Sequence, residues 1–202
     1  MTGDKSAAFV SGSAPVSSAD HLYLLGLPAS GKTTLGRRLA AHYGRAFVDL
    51  DAAIAAATGQ DIPAIFATEG EAGFRQREAA AVREVAARPG PLVVATGGGT
   101  PCFHDNLAVL QATGFTVWLD VPLPTLARRL AGAPAGSRPL VAALPAASSP
   151  AETPENALNY WLSRTMAARR EFYAQARLRC VGGAGTRLSA VVAALAQAGF
   201  QP

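Results

Sequence analysis

The stretch GLPASGKTT, residues 26–34, constrains this chain more than any other. Its spacing from Gly26 through Gly31, Lys32 and Thr33 fits G-x-x-x-x-G-K-[ST]. The apolar run HLYLLG leads into it, and LGRRLAAHY follows it with a helical period. In a strand–loop–helix unit of this kind, backbone N–H groups converge on phosphates and the helix points its positive end at them. Lys32 is expected to reach the β- and γ-phosphates, and the Thr33 hydroxyl to bind Mg²⁺. Ala29, Ser30 and Thr34 complete the expected nucleotide-binding stretch. A chance Gly-Lys turn is the competing explanation, and the strand–loop–helix setting weighs against it. The motif is silent about what receives the phosphate.

The rest of the chain repeats the same alternation. Short apolar runs at 21–26, 46–49, 91–96, 115–120 and 178–181 read as strands. Helical patterns lie between them at 32–43, 51–57, 61–67, 72–88, 105–112, 123–131, 155–176 and 186–198. Strands separated by helices predict an α/β fold, a five-stranded parallel sheet with helices on both faces. Residues 21–202 read as one domain behind a Ser/Ala/Gly-rich tail, 1–20, expected to be disordered. Residues 132–154 carry five prolines and no helical or strand period. A loop of that length is functional or disordered.

Composition narrows the partners. Half of the residues are apolar, only 16% are charged, and the net charge is +4. The basic residues form no run of four, so nucleic acid is not an expected partner. The two cysteines, Cys102 and Cys180, form no Cys/His cluster, so zinc is not expected and reduced cytoplasmic thiols are. The apolar run AAFV in the tail is too short for a signal-peptide core of about 7–15 residues. No run of about 20 apolar residues occurs, so no membrane helix is expected.

Three further stretches bear on the acceptor. In FVDLD, 47–51, Asp49 and Asp51 stand two apart at a strand end and can project to one side. They could share metal binding and proton acceptance. Equally, Asp51 could cap the next helix while Asp49 is solvated. In GEAGFRQRE, 70–78, Arg75 and Glu78 suit an i,i+3 pair on a charged helix face. Arg75 could instead fork onto a substrate carboxylate. In VVATGGGTPCF, 93–103, Gly97, Gly98 and Gly99 exceed what a turn needs, which predicts close backbone approach to something.

Taken in order, GLPASGKTT, FVDLD, GEAGFR, TGGGTP, an Arg-Pro-Leu in a long loop, and RREFY resemble the shikimate kinases over residues 21–177. The resemblance implies a phosphate-loop fold of the nucleoside-monophosphate-kinase kind and Mg-ATP-dependent phosphorylation of the 3-hydroxyl of shikimate, on the way to chorismate and aromatic amino acids. By the same resemblance Lys32 holds phosphate, while Thr33 and Asp49 serve the metal. Asp51 contacts the shikimate hydroxyls and acts as base. Arg75 and Arg169 hold the shikimate carboxylate, with Arg170 the neighbour most easily confused with Arg169. Gly97, Gly98 and Gly99 clamp the substrate through their backbone, and Arg138 reaches the phosphates from a lid over about 132–154. A monomer is expected.

One departure stands out: Ala29 occupies a position where many family members carry a second loop glycine. Its effect is expected to be modest unless the position needs a positive φ. The stretch 181–190 does not match the family's adenine-binding loop, so no adenine contact is assigned. The three histidines read as structural or exposed. A gluconate-type kinase of the same fold, or a nucleotide-binding module without catalysis, are the other readings. The first should lack the combined DLD, FR and GGG set.

Overall fold

The computed structural model describes residues 21–132, 153–182 and 187–202. The expected disordered tail 1–20, Arg138 and nearly all of the expected lid lie outside the described residues. Five strands, β1 (His21–Leu25), β2 (Ala46–Asp49), β3 (Leu92–Ala95), β4 (Gly114–Asp120) and β5 (Leu178–Val181), form one sheet in the order β2-β3-β1-β4-β5. Every strand pair is parallel. The helices are α1 (Lys32–Tyr43), α2 (Leu50–Thr58), α3 (Ile62–Ala86), α4 (Asn106–Thr113), α5 (Leu123–Ala131), α6 (Pro154–Tyr173) and α7 (Leu188–Gln197).

The near-continuous apolar character of β1, β3 and β4 follows from burial on both faces. Alternate residues feed two cores. Tyr23, Leu25, Val94 and Trp118 pack with side chains of α3, α4, α5 and α6, including Val82, Leu110, Leu126 and Leu162. Leu22, Leu24, Val93 and Val117 pack instead with Leu35 and Leu39 of α1 and Val191 and Leu195 of α7. A third, smaller cluster of Ile54, Ile65 and Phe74 ties α2 to α3.

This two-sided winding positions the site. β1 and β3 are neighbours, yet the chain leaves β1 for α1 on one face and leaves β3 toward α4 on the other. The two loops diverge and open a crevice at the carboxyl ends of the central strands, where ligands bind in such sheets. The crevice is thus bordered by the phosphate loop and by the triple glycine.

Local signals set most element ends. Gly44 and Gly59 terminate α1 and α2 in the left-handed conformation. The Asp61 carboxylate starts α3 by accepting from Ala64 N at 2.8 Å. The two helical patterns expected on either side of residue 70 form one element broken at Gly70, whose φ of 68° departs from helical geometry. A short 3₁₀ turn, Thr100–Cys102, follows the triple glycine and was not expected from the sequence. Helix α6 ends at Tyr173, three residues before the expected end.

Candidate active site

The phosphate loop is built by glycine and closed by lysine. Gly26 has φ 138°, and a Cβ there would lie 2.8 Å from the Leu119 carbonyl oxygen. Gly31, at φ 94°, precedes α1 and gives it no side-chain cap. A helix start without a side-chain cap suits an anion. The buried Lys32 ammonium donates to the carbonyls of Gly26 (2.9 Å) and Leu27 (3.0 Å), which bends its stem back across the loop. Ser30 is fully buried, and its hydroxyl has no hydrogen-bond partner among the described residues.

Ala29 adopts φ 62°, the left-handed region. The position does call for a positive φ, so the alanine is strained. Left-handed backbone costs an L-residue about 1–2 kcal/mol. Glycine lacks that cost but brings roughly 0.4–1 kcal/mol of extra unfolded-chain entropy. Ala29→Gly should therefore raise stability by about 0.5–1 kcal/mol, a gain of about 1–4 °C in Tm. Calorimetry checks this, and a lower Tm would show that the left-handed alanine is not strained.

The cap of α2 falls to Asp49, where the capping expectation had Asp51. Asp49 ends β2 and caps α2, its Oδ1 accepting from Asp51 N (3.2 Å) and Ala52 N (3.4 Å). Asp51 does not cap the helix and does not lie on the strand. It sits in the first turn of α2, exposed at the cleft. The strand stops at Asp49 because that carboxylate takes the orphan N–H groups of the new helix. The other oxygen, Asp49 Oδ2, accepts from Thr33 Oγ1 at 2.7 Å. Two hard oxygen donors side by side beside a phosphate loop fit Mg²⁺, which takes its other ligands from phosphate and water. No group of three His, Cys, Asp or Glu among the described residues could hold a metal by itself.

The triple glycine is explained by what surrounds it. A Cβ on Gly97 would stand 2.6 Å from Glu78 Oε1 and 3.1 Å from Asp51 Oδ1. On Gly98 it would meet Pro28 Cδ at 2.9 Å and Arg169 Nη1 at 3.3 Å. On Gly99 it would lie 2.7 Å from both terminal nitrogens of Arg75. The three glycines thus let backbone lie directly against these charged side chains. Tyr173, on the α6 turn after Arg169, donates its hydroxyl to the Gly98 carbonyl. Burial pushes the Tyr173 pKa up, so the hydroxyl keeps the proton it donates.

Of the two expectations for Arg75, the structure bears on the ion pair with Glu78. The i,i+3 pair exists, with Arg75 Nη1 donating to Glu78 Oε2 at 2.8 Å, but it is buried, not a solvated helix face. Arg75 Nε and Nη2 donate to Glu71 Oε1 at 3.2 and 2.9 Å. The guanidinium also stacks near the rings of Phe103 (4.3 Å) and Phe74 (5.2 Å). A cation held this firmly keeps its remaining N–H groups in a fixed direction. Burial pushes the thiol of nearby Cys102 up to about 11, against the opposing pull of Arg169 and Arg75.

One cleft of about 570 Å³ gathers most of the expected residues. Ala29, Gly31, Lys32, Thr33 and Thr34 line its phosphate side. Asp49, Asp51, Arg75, Gly97, Gly98, Gly99 and Arg169 line the rest. Gly26 and Ser30 do not line it, and Arg138 lies outside the described residues. Arg170 is exposed and off the cleft, which separates it from Arg169. No histidine lines it; His21 is buried, accepting from Leu92 N at Nδ1.

The structure adds residues that sequence reasoning missed. Glu78 reaches the cleft as the buried counter-ion of Arg75. Phe66, Phe74, Ile62 and Trp161 supply its apolar wall. Arg129 of α5 lines it too and donates to the Ala29 carbonyl at 2.9 Å. The apolar residues carried no signal, because ordinary core periodicity explains them equally well. Arg129 could have been suspected from its place just before the long loop.

A phosphate loop after the central strand of this parallel sheet, facing an acidic and cationic acceptor pocket, defines a phosphate-loop phosphotransferase. Comparison with known proteins narrows the class. The shikimate kinase family model matches residues 28–198. A shikimate kinase from Synechococcus elongatus is 46% identical over 158 residues, 78% of this chain and 75% of that protein. One from Symbiobacterium thermophilum is 43% identical over 77% of this chain and 82% of that protein. Among solved structures, shikimate kinase from Bacteroides thetaiotaomicron superposes with TM-score 0.75 at 31% identity, covering 88% of this chain and 97% of that one. Shikimate kinase from Acinetobacter baumannii, in complex with shikimate, gives TM-score 0.74 at 29% identity, covering 90% and 96%. A gluconokinase from Sinorhizobium meliloti, at 17% identity and TM-score 0.51, shares the architecture alone. This chain belongs to the shikimate kinase family.

Proposed function

We propose that this chain transfers the terminal phosphoryl group of ATP to the 3-hydroxyl of shikimate, yielding shikimate 3-phosphate for chorismate and aromatic amino acid synthesis. The observation that carries this reading is the placement of Arg75 and Arg169 beside the triple glycine, in the same cleft as Lys32 and Asp51. Two arginines there suit a carboxylate remote from the reacting hydroxyl.

Phosphoryl transfer has a loose transition state, so the protein chiefly positions groups and neutralises charge. In this reading Lys32 turns from its loop carbonyls to the β/γ-phosphates, and the first-turn N–H groups of α1 hold their oxygens. Thr33 and Asp49 hold Mg²⁺, which when bound neutralises charge on the phosphates. Asp51 orients the attacking hydroxyl and accepts its proton. Arg75 and Arg169 fix the carboxylate, so binding energy away from the reacting centre sets its orientation. Arg138 adds a further cation at the phosphates. The single-domain extent 21–202, a monomeric state and a cytoplasmic location belong to the same reading. No helix among the described residues is long and apolar enough to cross a membrane.

The decisive experiment is ADP release with Mg-ATP across a panel of acceptors. Shikimate should support turnover and gluconate should not. Turnover with gluconate alone favours the sugar-acid kinase reading. ATP binding without turnover on any acceptor favours a nucleotide-binding module.

A further inference from the structure

Behind the cleft, a line of buried polar contacts runs away from Arg75. Glu78, fully buried, accepts from Arg75 Nη1 at one oxygen and from Thr100 Oγ1 at the other, the latter at 2.7 Å. The Thr100 carbonyl in turn accepts from Asn106 Nδ2 at 3.0 Å. Asn106 is also fully buried, and its Oδ1 accepts from Arg83 Nη1 at 3.2 Å. Arg83 further donates to the carbonyls of Ala79 (2.9 Å) and His104 (2.9 Å).

The backbone is strained to make this possible. His104 and Asp105, both non-glycine, adopt φ 51° and 56° in succession. Each left-handed residue is unfavourable and persists only where its surroundings over-determine it. Here the Arg83 guanidinium grips the His104 carbonyl, and Asn106, the next residue but one, turns its amide under Thr100. Helix α3 therefore holds the segment after the triple glycine at two points, Thr100 through Glu78 and His104–Asn106 through Arg83.

We infer that Asn106 is a positioning residue for the acceptor carboxylate, acting through Thr100 and Glu78 on the orientation of Arg75. Asn106 touches no cleft surface. Its amide fixes the Thr100 backbone, which aims the Thr100 hydroxyl at Glu78. Glu78, with one oxygen so occupied, presents the other to Arg75. Loss of the amide frees Thr100 to turn, and Glu78 and Arg75 then share several arrangements instead of one. None of these hydrogen bonds involves the phosphate loop, so nucleotide affinity should be spared.

The inference rests on the proposed acceptor, and the test separates the two. Steady-state kinetics are measured for wild type, Asn106→Ala, Thr100→Val and Thr100→Ser, with Tm for each. Asn106→Ala and Thr100→Val should raise KM for shikimate about fivefold or more, and leave KM for ATP within about twofold. Thr100→Ser keeps the hydroxyl and should restore KM to within about twofold of wild type. In an Arg75→Ala background, Asn106→Ala should add less than about twofold, because its route to the substrate is already cut. Equal rises in both KM values, an unchanged shikimate KM, or a full additive effect in the Arg75→Ala background each overturn the inference. If Asn106→Ala does not fold, the exposed Arg83→Met takes its place with the same expected pattern. A wild type that does not turn over shikimate overturns the proposed function itself, and the inference with it.

Discussion

Asp51→Asn should lower kcat for shikimate phosphorylation by about 10²–10⁴-fold, the range associated with loss of a general base. Asn has the same shape but cannot accept the hydroxyl proton. Folding should be little changed, because the capping of α2 belongs to Asp49, not to Asp51. ATP affinity should also hold, since Asp51 lies in the first turn of α2 and not in the phosphate loop. Rapid-quench turnover with parallel nucleotide titration checks this. Turnover near the wild-type rate would remove Asp51 from the base role. A loss of ATP affinity equal to the loss of kcat would make Asp51 a structural residue of the cleft.

Arg75→Ala and Arg169→Ala should each weaken shikimate binding by roughly 10- to 150-fold, since a hydrogen bond to a charged group contributes about 1.5–3 kcal/mol. ATP affinity should change far less. The two variants should differ in stability, and this follows from their surroundings. Arg75 is almost fully buried against Glu78, which has no exposure at all. Removing one partner of a buried pair leaves the other charge uncompensated, at a cost of about 3–5 kcal/mol. Arg75→Ala should therefore also lower Tm clearly. Arg169 is only half-buried and belongs to no ion pair among the described residues, so its loss should act mainly on binding. Calorimetry with separate titrations of shikimate and nucleotide distinguishes the cases. Equal losses of both ligands would return these arginines to a general structural role.

Much of this protein was legible in the sequence because its signals are local. The strand–loop–helix around GLPASGKTT needs only neighbouring residues: an apolar run, glycines at the turn and a helical period. The alternation of apolar runs and helical patterns likewise predicted a parallel sheet covered on both faces, and five strands stand where the runs lie. The helical patterns 61–67 and 72–88 also leave a gap, and the helix breaks inside it, at Gly70.

Tertiary structure alone decided what depends on residues far apart in the chain. Which of Asp49 and Asp51 caps α2 turns on where β2 stops. That stop is set by one carboxylate capping α2 while bonding Thr33, sixteen positions away. The positive φ of Ala29 could not be read from an alanine, because the conformation is imposed by the loop and not by the side chain. Arg75 admitted two sequence readings, a helix-face ion pair or a substrate ligand. Burial against Glu78, Phe74 and Phe103 makes the pair real, and it also holds the guanidinium at the cleft. The triple glycine announced a close approach but not to what. Only the packing of α2, α3 and α6 around it supplied Asp51, Arg75 and Arg169 as the answer.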